Sequence, residues 1–329
     1  MKVLFCRITL IVFIIIISPV YIFGQNVLWW SNIPPQSKKN KVITYGMHKL
    51  SSMRGEKGKS QIIQWLRNGN NINHSIFLSQ QPENSEIILF DPDGKETEIS
   101  LNTRDKDLSI LYTGEMEGFY NLYLLNQSVR NDTLFVLAAK AERLCHSCRN
   151  GHKEVHIKIP YETYPERIPF EILRERFFQE DFHFFISSGD EVTFQVLLNG
   201  QPVDHAEVRM ITEKDWSVKK YTDKNGQISQ EMIGDFFSRI KEFHKDELHN
   251  FLIIASCNIT SAGVFQGKPY EYIHYTATYT DSYKPAVYQY SSFVYGIFSV
   301  LIVVAVSLVI IKIYRNRKED PKFWRGAHE

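Results

Sequence analysis

The chain has 329 residues, of which 38 are Lys or Arg and 37 are Asp or Glu, so its formal charge at neutral pH is only +1. A balance this even sets up no broad positive field and argues against nucleic acid as a partner. Four cysteines are too few for a disulfide-dense scaffold, whereas an aromatic share of 13% supplies bulk for packed cores.

Lys2 and Arg7 flank the start of an apolar run from Leu10 to Ile17, and Ser18, Pro19 and Gly24 come after it. This is the layout of a secretory signal, predicted over residues 1–24 with the mature chain starting near Gln25. Ile22 is bulkier than the residue usually found two positions before a cleavage site, so an uncleaved N-terminal anchor is the alternative. Either one exports the chain beyond Gly24. Residues 25–58 form an N-terminal segment.

Residues 59–142 form the first predicted domain. The runs Ile62 to Leu66, Ile76 to Leu78, Glu86 to Phe90, Phe119 to Leu124 and Thr133 to Leu137 are β-rich and short. Between them, Asn68-Gly69-Asn70 and Asp91-Pro92-Asp93-Gly94 supply the positive-φ and preset-φ residues of turns. A sandwich of about seven strands closes such a pattern.

Residues 143–169 are a linker rich in Cys and His. After it, residues 170–281 form a second predicted sandwich. Val192, Phe194, Val196 and Leu198 alternate with Glu191, Thr193, Gln195 and Leu197, giving one apolar face before the turn at Asn199-Gly200. Val203 to Met210 returns, Thr222-Asp223-Lys224-Asn225-Gly226 turns again, and strands are predicted at Phe251 to Ser256 and Tyr270 to Tyr279. Ile233, Phe236, Phe237, Ile240 and Phe243 recur at helical spacing and predict one amphipathic helix.

The run 293–313 is apolar and uncharged as far as Ile311, and about twenty residues cross a hydrocarbon core as a helix. Lys312, Arg315, Arg317, Lys318, Lys322 and Arg325 lie at or beyond its end, whereas Asp281 to Tyr290 carries only Lys284 as a basic residue. The positive flank assigns the tail, residues 314–329, to the cytoplasm and the β-rich body to the other side. The predicted architecture is thus all-β, two sandwich domains plus one C-terminal transmembrane helix.

Ser188-Gly189-Asp190-Glu191-Val192, Asn199-Gly200-Gln201-Pro202-Val203, Ala206-Glu207-Val208 and Thr222 to Gly226 together make a recognisable pattern. It resembles bacterial periplasmic domains of unknown function associated with nickel and cobalt uptake and, more loosely, carboxypeptidase-regulatory or transthyretin-like β-sandwiches. The stretch from Ser60 to Lys140 resembles an immunoglobulin-like module. The resemblance implies an accessory component of a metal importer, with a multispanning membrane protein or envelope complex as partner. Such domains often begin with a His-x-His element after the signal. Gln25-Asn26-Val27-Leu28-Trp29-Trp30 has no histidine, so no N-terminal ligand carries over.

The densest chemistry is Cys145-His146-Ser147-Cys148-Arg149-Asn150-Gly151-His152-Lys153-Glu154-Val155-His156. Cys145, His146, Cys148, His152 and His156 are candidate ligands for Zn, Ni, Co or Cu, since thiolate and imidazole both donate strongly to such ions. A Cys145–Cys148 disulfide is the rival, and it would consume both thiolates. Arg149 stands where haem attachment needs a His. His244, Asp246, Glu247 and His249 form a polar cluster at the end of the predicted helix, and His205 and His274 are isolated. The sequons at Asn73, Asn126, Asn131 and Asn258 are glycan acceptors only in a eukaryotic host.

The chain contains no phosphate-cradling loop, nucleophile elbow or His-Glu-x-x-His helix. The expectation is a non-enzymatic membrane-anchored accessory protein. The alternative is a cell-surface adhesion or receptor-like module that binds protein or glycan without metal.

Overall fold

A computed structural model describes residues 27–35, 52–54, 60–102, 107–145, 163–177, 180, 184–234 and 248–316. The described residues are all-β with one C-terminal helix. In chain order the strands begin with β1 (Leu28–Ser31), β2 (Ser52–Arg54), β3 (Ser60–Asn68), β4 (Ile76–Phe77), β5 (Ser85–Phe90), β6 (Glu96–Thr97), β7 (Ser100–Asn102), β8 (Ser109–Gly114), β9 (Gly118–Arg130) and β10 (Thr133–Cys145). They continue with β11 (Phe170–Arg174), β12 (Ile186–Ser187), β13 (Glu191–Leu198), β14 (Gln201–Pro202), β15 (Glu207–Thr212), β16 (Ser217–Tyr221), β17 (Gln227–Glu231), β18 (His249–Phe265) and β19 (Lys268–Lys284). Helix α1 spans Val287–Asn316. The described residues up to Lys284 belong to one compact unit and those from Pro285 to another. The predicted signal, the predicted helix from residue 235 onward and the linker residues 146–162 lie outside the described residues.

Among the described residues, three sheets build the body. One is centred on β1-β3-β8-β7 and another on β11-β13-β14. Between them runs a long sheet in the order β16-β15-β18-β19-β10-β9-β5-β6, which passes from the second half of the chain into the first. The crossing point is β10 against β19, a parallel pair with Thr133 opposite Tyr272 and Ala141 opposite Thr280.

Because side chains alternate along a strand, this sheet feeds a core on each face. Ala139 and Ala141 of β10, with Leu122 and Leu124 of β9, pack against Trp30, Leu66 and Ile110 of the β1-β3-β8 sheet. Leu134 and Val136, pointing the other way, join Tyr275, Ala277 and Tyr279 of β19 under Phe170, Ile172, Phe194 and Val196. The two covering sheets therefore lie on opposite faces of a shared middle layer.

The predicted turns have clear physical causes. Asn199 and Gly200 both have positive φ, 49° and 75°, as a two-residue hairpin requires, and β13 pairs directly with β14 across them. In the second turn Asp223 Oδ1 accepts from Asn225 N and Gln227 N, while Thr222 Oγ1 accepts from Ala206 N and donates to Val203 O. Gly226 closes it at φ 69°, where a Cβ would stand 2.7 Å from Val196 O.

β1 is among the strands that the sequence analysis left unassigned, with β8, β11 and β16. It pairs with β3 on one edge, and on the other its carbonyls at Leu28 and Trp30 accept hydrogen bonds from Thr278 and Thr280 of β19, each 2.8 Å. Hydroxyls thus satisfy backbone groups that an edge strand would otherwise leave open. Trp30 is fully buried, its indole donating to Ala139 O, and Trp29 donates to Gly69 O. Trp29, Val27 and Ile72 also pack on Ile211 and Leu252, so β1 and the 69–75 turn attach the first half to the second.

α1 is apolar on every side, and its stretch Val294–Asn316 is long and apolar enough to span a membrane.

Replacing Trp30 by Ala removes a fully buried ring and its hydrogen bond, and it is expected to cost about 3–5 kcal/mol in urea unfolding of the detergent-solubilised chain. Ile76→Ala, at a 62% exposed position, is expected to stay within about 0.5 kcal/mol.

Candidate functional site

Of the five candidate metal ligands, the described residues include Cys145 alone; His146, Cys148, His152 and His156 lie outside them. Cys145 ends β10 opposite Gly118 and is 5% exposed, in the core beside Tyr112 and Tyr120. Among the described residues no group of three Cys, His, Asp or Glu side chains is placed to hold an ion.

The remaining candidates are dispersed. Cys257 is half-buried on β18, and burial pushes its thiol up to about 11. It packs on the other core from Cys145. His205 is exposed at φ 57° and contacts its neighbour Asp204 at 2.7 Å. His274 places Nδ1 2.6 Å from Asn258 Oδ1 and its ring beside Phe135, and burial holds its pKa below the ordinary range. His249 is buried at the start of β18, while His244, Asp246 and Glu247 lie outside the described residues. At the sequon Asn73, the amide donates to Glu213 O at 2.7 Å, which ties the 69–75 turn to the second half.

The strongest concentration of buried charge is elsewhere, at the fork where β10 and β19 part after the Ala141–Thr280 pair. Arg174 and Arg176, at and just after the end of β11, and Glu180 meet side chains of β10 and β19 there. Arg174 forms a two-point contact with Glu180, at 3.0 and 2.6 Å, and its Nε lies 3.8 Å from Asp281, which also accepts from Tyr279 at 3.2 Å. Arg176 donates to Glu180 at 3.0 Å and to Glu142 of β10, with its guanidinium 4.0 Å over the Phe119 ring. One turn of pleat earlier, Lys140 and Glu171 are 4% and 2% exposed and 3.5 Å apart, and Tyr123 donates to the same Glu171 oxygen at 2.9 Å.

The electrostatics follow from this pairing. Burial alone would raise the Glu142 pKa, but Arg176, then Lys140 and Arg174, outweigh it and hold the carboxyl below the ordinary range. Burial likewise pushes Glu180 up, and its hydrogen bonds and charge contact with Arg174, with Arg176 behind, bring it below. Burial disfavours the Arg174 charge, yet Tyr279, Glu180, Asp281 and Glu142 raise its pKa, so it stays ionised. Tyr123 is driven well above the ordinary phenol, first by burial and then by Glu171. The arrangement consists of opposite charges satisfying one another. Its chemical capacity is to fix three chain segments together.

Sequence reasoning missed this cluster, although two signals were present. Lys140 interrupts the apolar run Val136 to Ala141, and Glu171 interrupts Pro169 to Leu173; a lone charge within a strand that is otherwise apolar needs a buried partner. What local sequence does not carry is that the two strands meet.

No protein-family model matches this chain, and no curated protein matches it.

Glu142 and Glu180 both have folded-state pKa values below their unfolded ones, so the stability they contribute is complete above the ordinary glutamate range and is lost as pH falls through the folded values. Thermal unfolding of the detergent-solubilised chain should therefore be flat from neutral pH to about pH 5 and fall steeply below it. Glu142→Gln is expected to cost about 3–5 kcal/mol at neutral pH, because Arg176 loses a buried partner, and to make the acid decline shallower.

Proposed function

We propose that this chain is a single-pass membrane protein whose β body lies on the extracytoplasmic side and serves, without catalysis of its own, as an accessory of a transition-metal uptake complex for nickel or cobalt. The observation that carries the reading is α1, the one helix among the described residues that is long and apolar enough to cross a membrane, following a body whose halves share one sheet. One helix cannot enclose a solute path, so a transport role requires a multispanning partner. The basic flank after Ile311 supports a cytoplasmic tail. The buried charges at the fork are engaged with one another, which suits a scaffold that presents loops better than a site that turns over substrate.

Metal handling rests on the 145–156 loop and on the resemblance of residues 188–226. Cys145, at the end of a long paired strand, gives that loop a fixed starting point.

With protease added outside right-side-out vesicles, the β body is expected to be accessible and an epitope placed after Glu329 protected; the reverse pattern overturns the orientation. Reduced full-length chain in detergent is expected to bind about one Ni²⁺ or Zn²⁺, and the Cys145→Ser/Cys148→Ser variant to lose it with an unchanged β-sheet circular dichroism spectrum. If thiol labelling of the non-reduced native protein tags Cys257 alone and metal binding is absent, the pair is a disulfide and the metal assignment fails.

A further inference from the structure

A cleft of about 790 Å³ opens on the face of the shared sheet opposite the charged fork. Its floor is made by paired positions on three neighbouring strands. Asn126 and Ser128 of β9 lie opposite Leu137 and Phe135 of β10, and Thr276 of β19 lies opposite Leu137. Its wall comes from the covering β1-β3-β8 layer, through Leu28, Asn68 at the end of β3 and the loop Leu78 to Pro82.

The lining is unusual in its hydrogen-bonding state. Among the described residues, Asn68, Gln80, Ser128 and Arg130 make no side-chain hydrogen bond, although Asn68 and Ser128 are half-buried. Asn126 spends its amide protons on Glu83 O and Asn84 O, 2.7 and 3.4 Å, leaving Oδ1 as an acceptor. Gln81 donates once, to Ser85 O at 2.8 Å, leaving one N–H and Oε1. The cleft thus offers closely interleaved neutral donors and acceptors around the half-buried ring of Phe135.

Four ligand classes can be weighed against that lining. A metal ion finds no carboxylate, imidazole or thiolate there, and Arg130 repels it. An extended peptide that adds a strand needs a free sheet edge, but β10 and β19 have neighbours on both sides along the floor, and β9 is unpaired on its outer side only over Ser128 to Arg130, too short a stretch to seat a strand. A lipid tail would leave the amides unpaired. A sugar chain fits, because its hydroxyls are donors and acceptors at short spacing and its C–H faces pack on an aromatic ring. The volume falls within the range of small-ligand sites and holds more than one ring.

The geometry points to this cleft as a binding site for a short oligosaccharide, with Phe135 as the stacking platform, the amides of Asn68, Gln80, Gln81 and Asn126 reading hydroxyls, and Arg130 at the rim meeting any acidic substituent. The assignment is independent of the metal reading, since it uses no residue of the 145–156 loop.

The test uses the full chain in nanodiscs titrated with chitotetraose, cellotetraose and trigalacturonate, followed by saturation-transfer NMR and calorimetry. At least one of the three is expected to bind with a millimolar or tighter Kd, and which one separates N-acetylated, neutral and acidic sources. Phe135→Ala should weaken that binding about tenfold and Gln80→Ala about threefold, and Ser128→Trp, which fills the cleft, should abolish it. Ile76→Ala, outside the lining, should leave it unchanged. Absence of binding by all three at millimolar concentration overturns the proposal. So does binding that survives Gln80→Ala and Ser128→Trp in protein whose near-ultraviolet tryptophan spectrum is intact, because Gln80 is exposed and its replacement leaves the fold in place.

Discussion

The structure depends on the parallel pairing of β10 with β19. Without it the chain would hold two separate half-sandwiches, each exposing an open sheet edge; with it, one sheet runs through both, and neither edge is left to recruit another chain. The pairing also sets both cores together. β10 sends Leu134 and Val136 to one face and Ala139 and Ala141 to the other, so a slip of one residue would move alanines under Phe170 and Phe194 and drive Lys140 toward Trp30. A register error on this strand is therefore penalised twice.

The charged fork makes that penalty steeper. Taking Lys140, Glu171, Glu142, Arg174, Arg176 and Glu180 out of water is expensive, and well-packed apolar residues would serve net stability equally well. Discrimination is where they differ from apolar residues. Each carboxylate here meets its cation only when β10, β11 and β19 are in the observed register, and any other arrangement strands a buried ion. The hydroxyls of Thr278 and Thr280 act in the same sense on the opposite face, since they reach the Leu28 and Trp30 carbonyls only if β1 crosses β19 at that point.

This explains which features could be read along the sequence and which could not. The strand from Glu191 to Leu198, the Asn199-Gly200 hairpin and the Thr222 to Gly226 turn are local, fixed by alternation and by positive φ, and they stand where the pattern put them. The helix is equally local, and the apolar run 293–313 falls inside Val287–Asn316. β18 and β19 extend well beyond the predicted Phe251 to Ser256 and Tyr270 to Tyr279, because their hairpin arms continue through polar residues such as Asn258, Thr260 and Glu271 that carry no apolar periodicity. β1 went unassigned because four residues are too short to show a period. Parallel pairing between strands so distant in the chain leaves no local mark, and the site residues it gathers, Glu142 with Arg176 and Lys140 with Glu171, were legible only as isolated charges. The 145–156 loop was the loudest chemical signal in the sequence, and apart from Cys145 it falls outside the described residues.

The two faces of β10 also tie the fork to the cleft. Phe135 and Leu137 lie on the cleft floor, while Lys140 and Glu142, a few residues along the same strand, are held from the opposite face. A strand gripped by ion pairs beneath and by the Trp30 indole on Ala139 has little freedom to move its floor residues. Binding a flexible polyhydroxylated chain is opposed mainly by the ordering of the ligand and of the side chains that meet it, and a floor already fixed removes the protein's share of that cost. Buried charge that adds little to net stability is, for that reason, consistent with selection for a rigid recognition surface, since rigidity at Phe135 is what the register of β10 supplies.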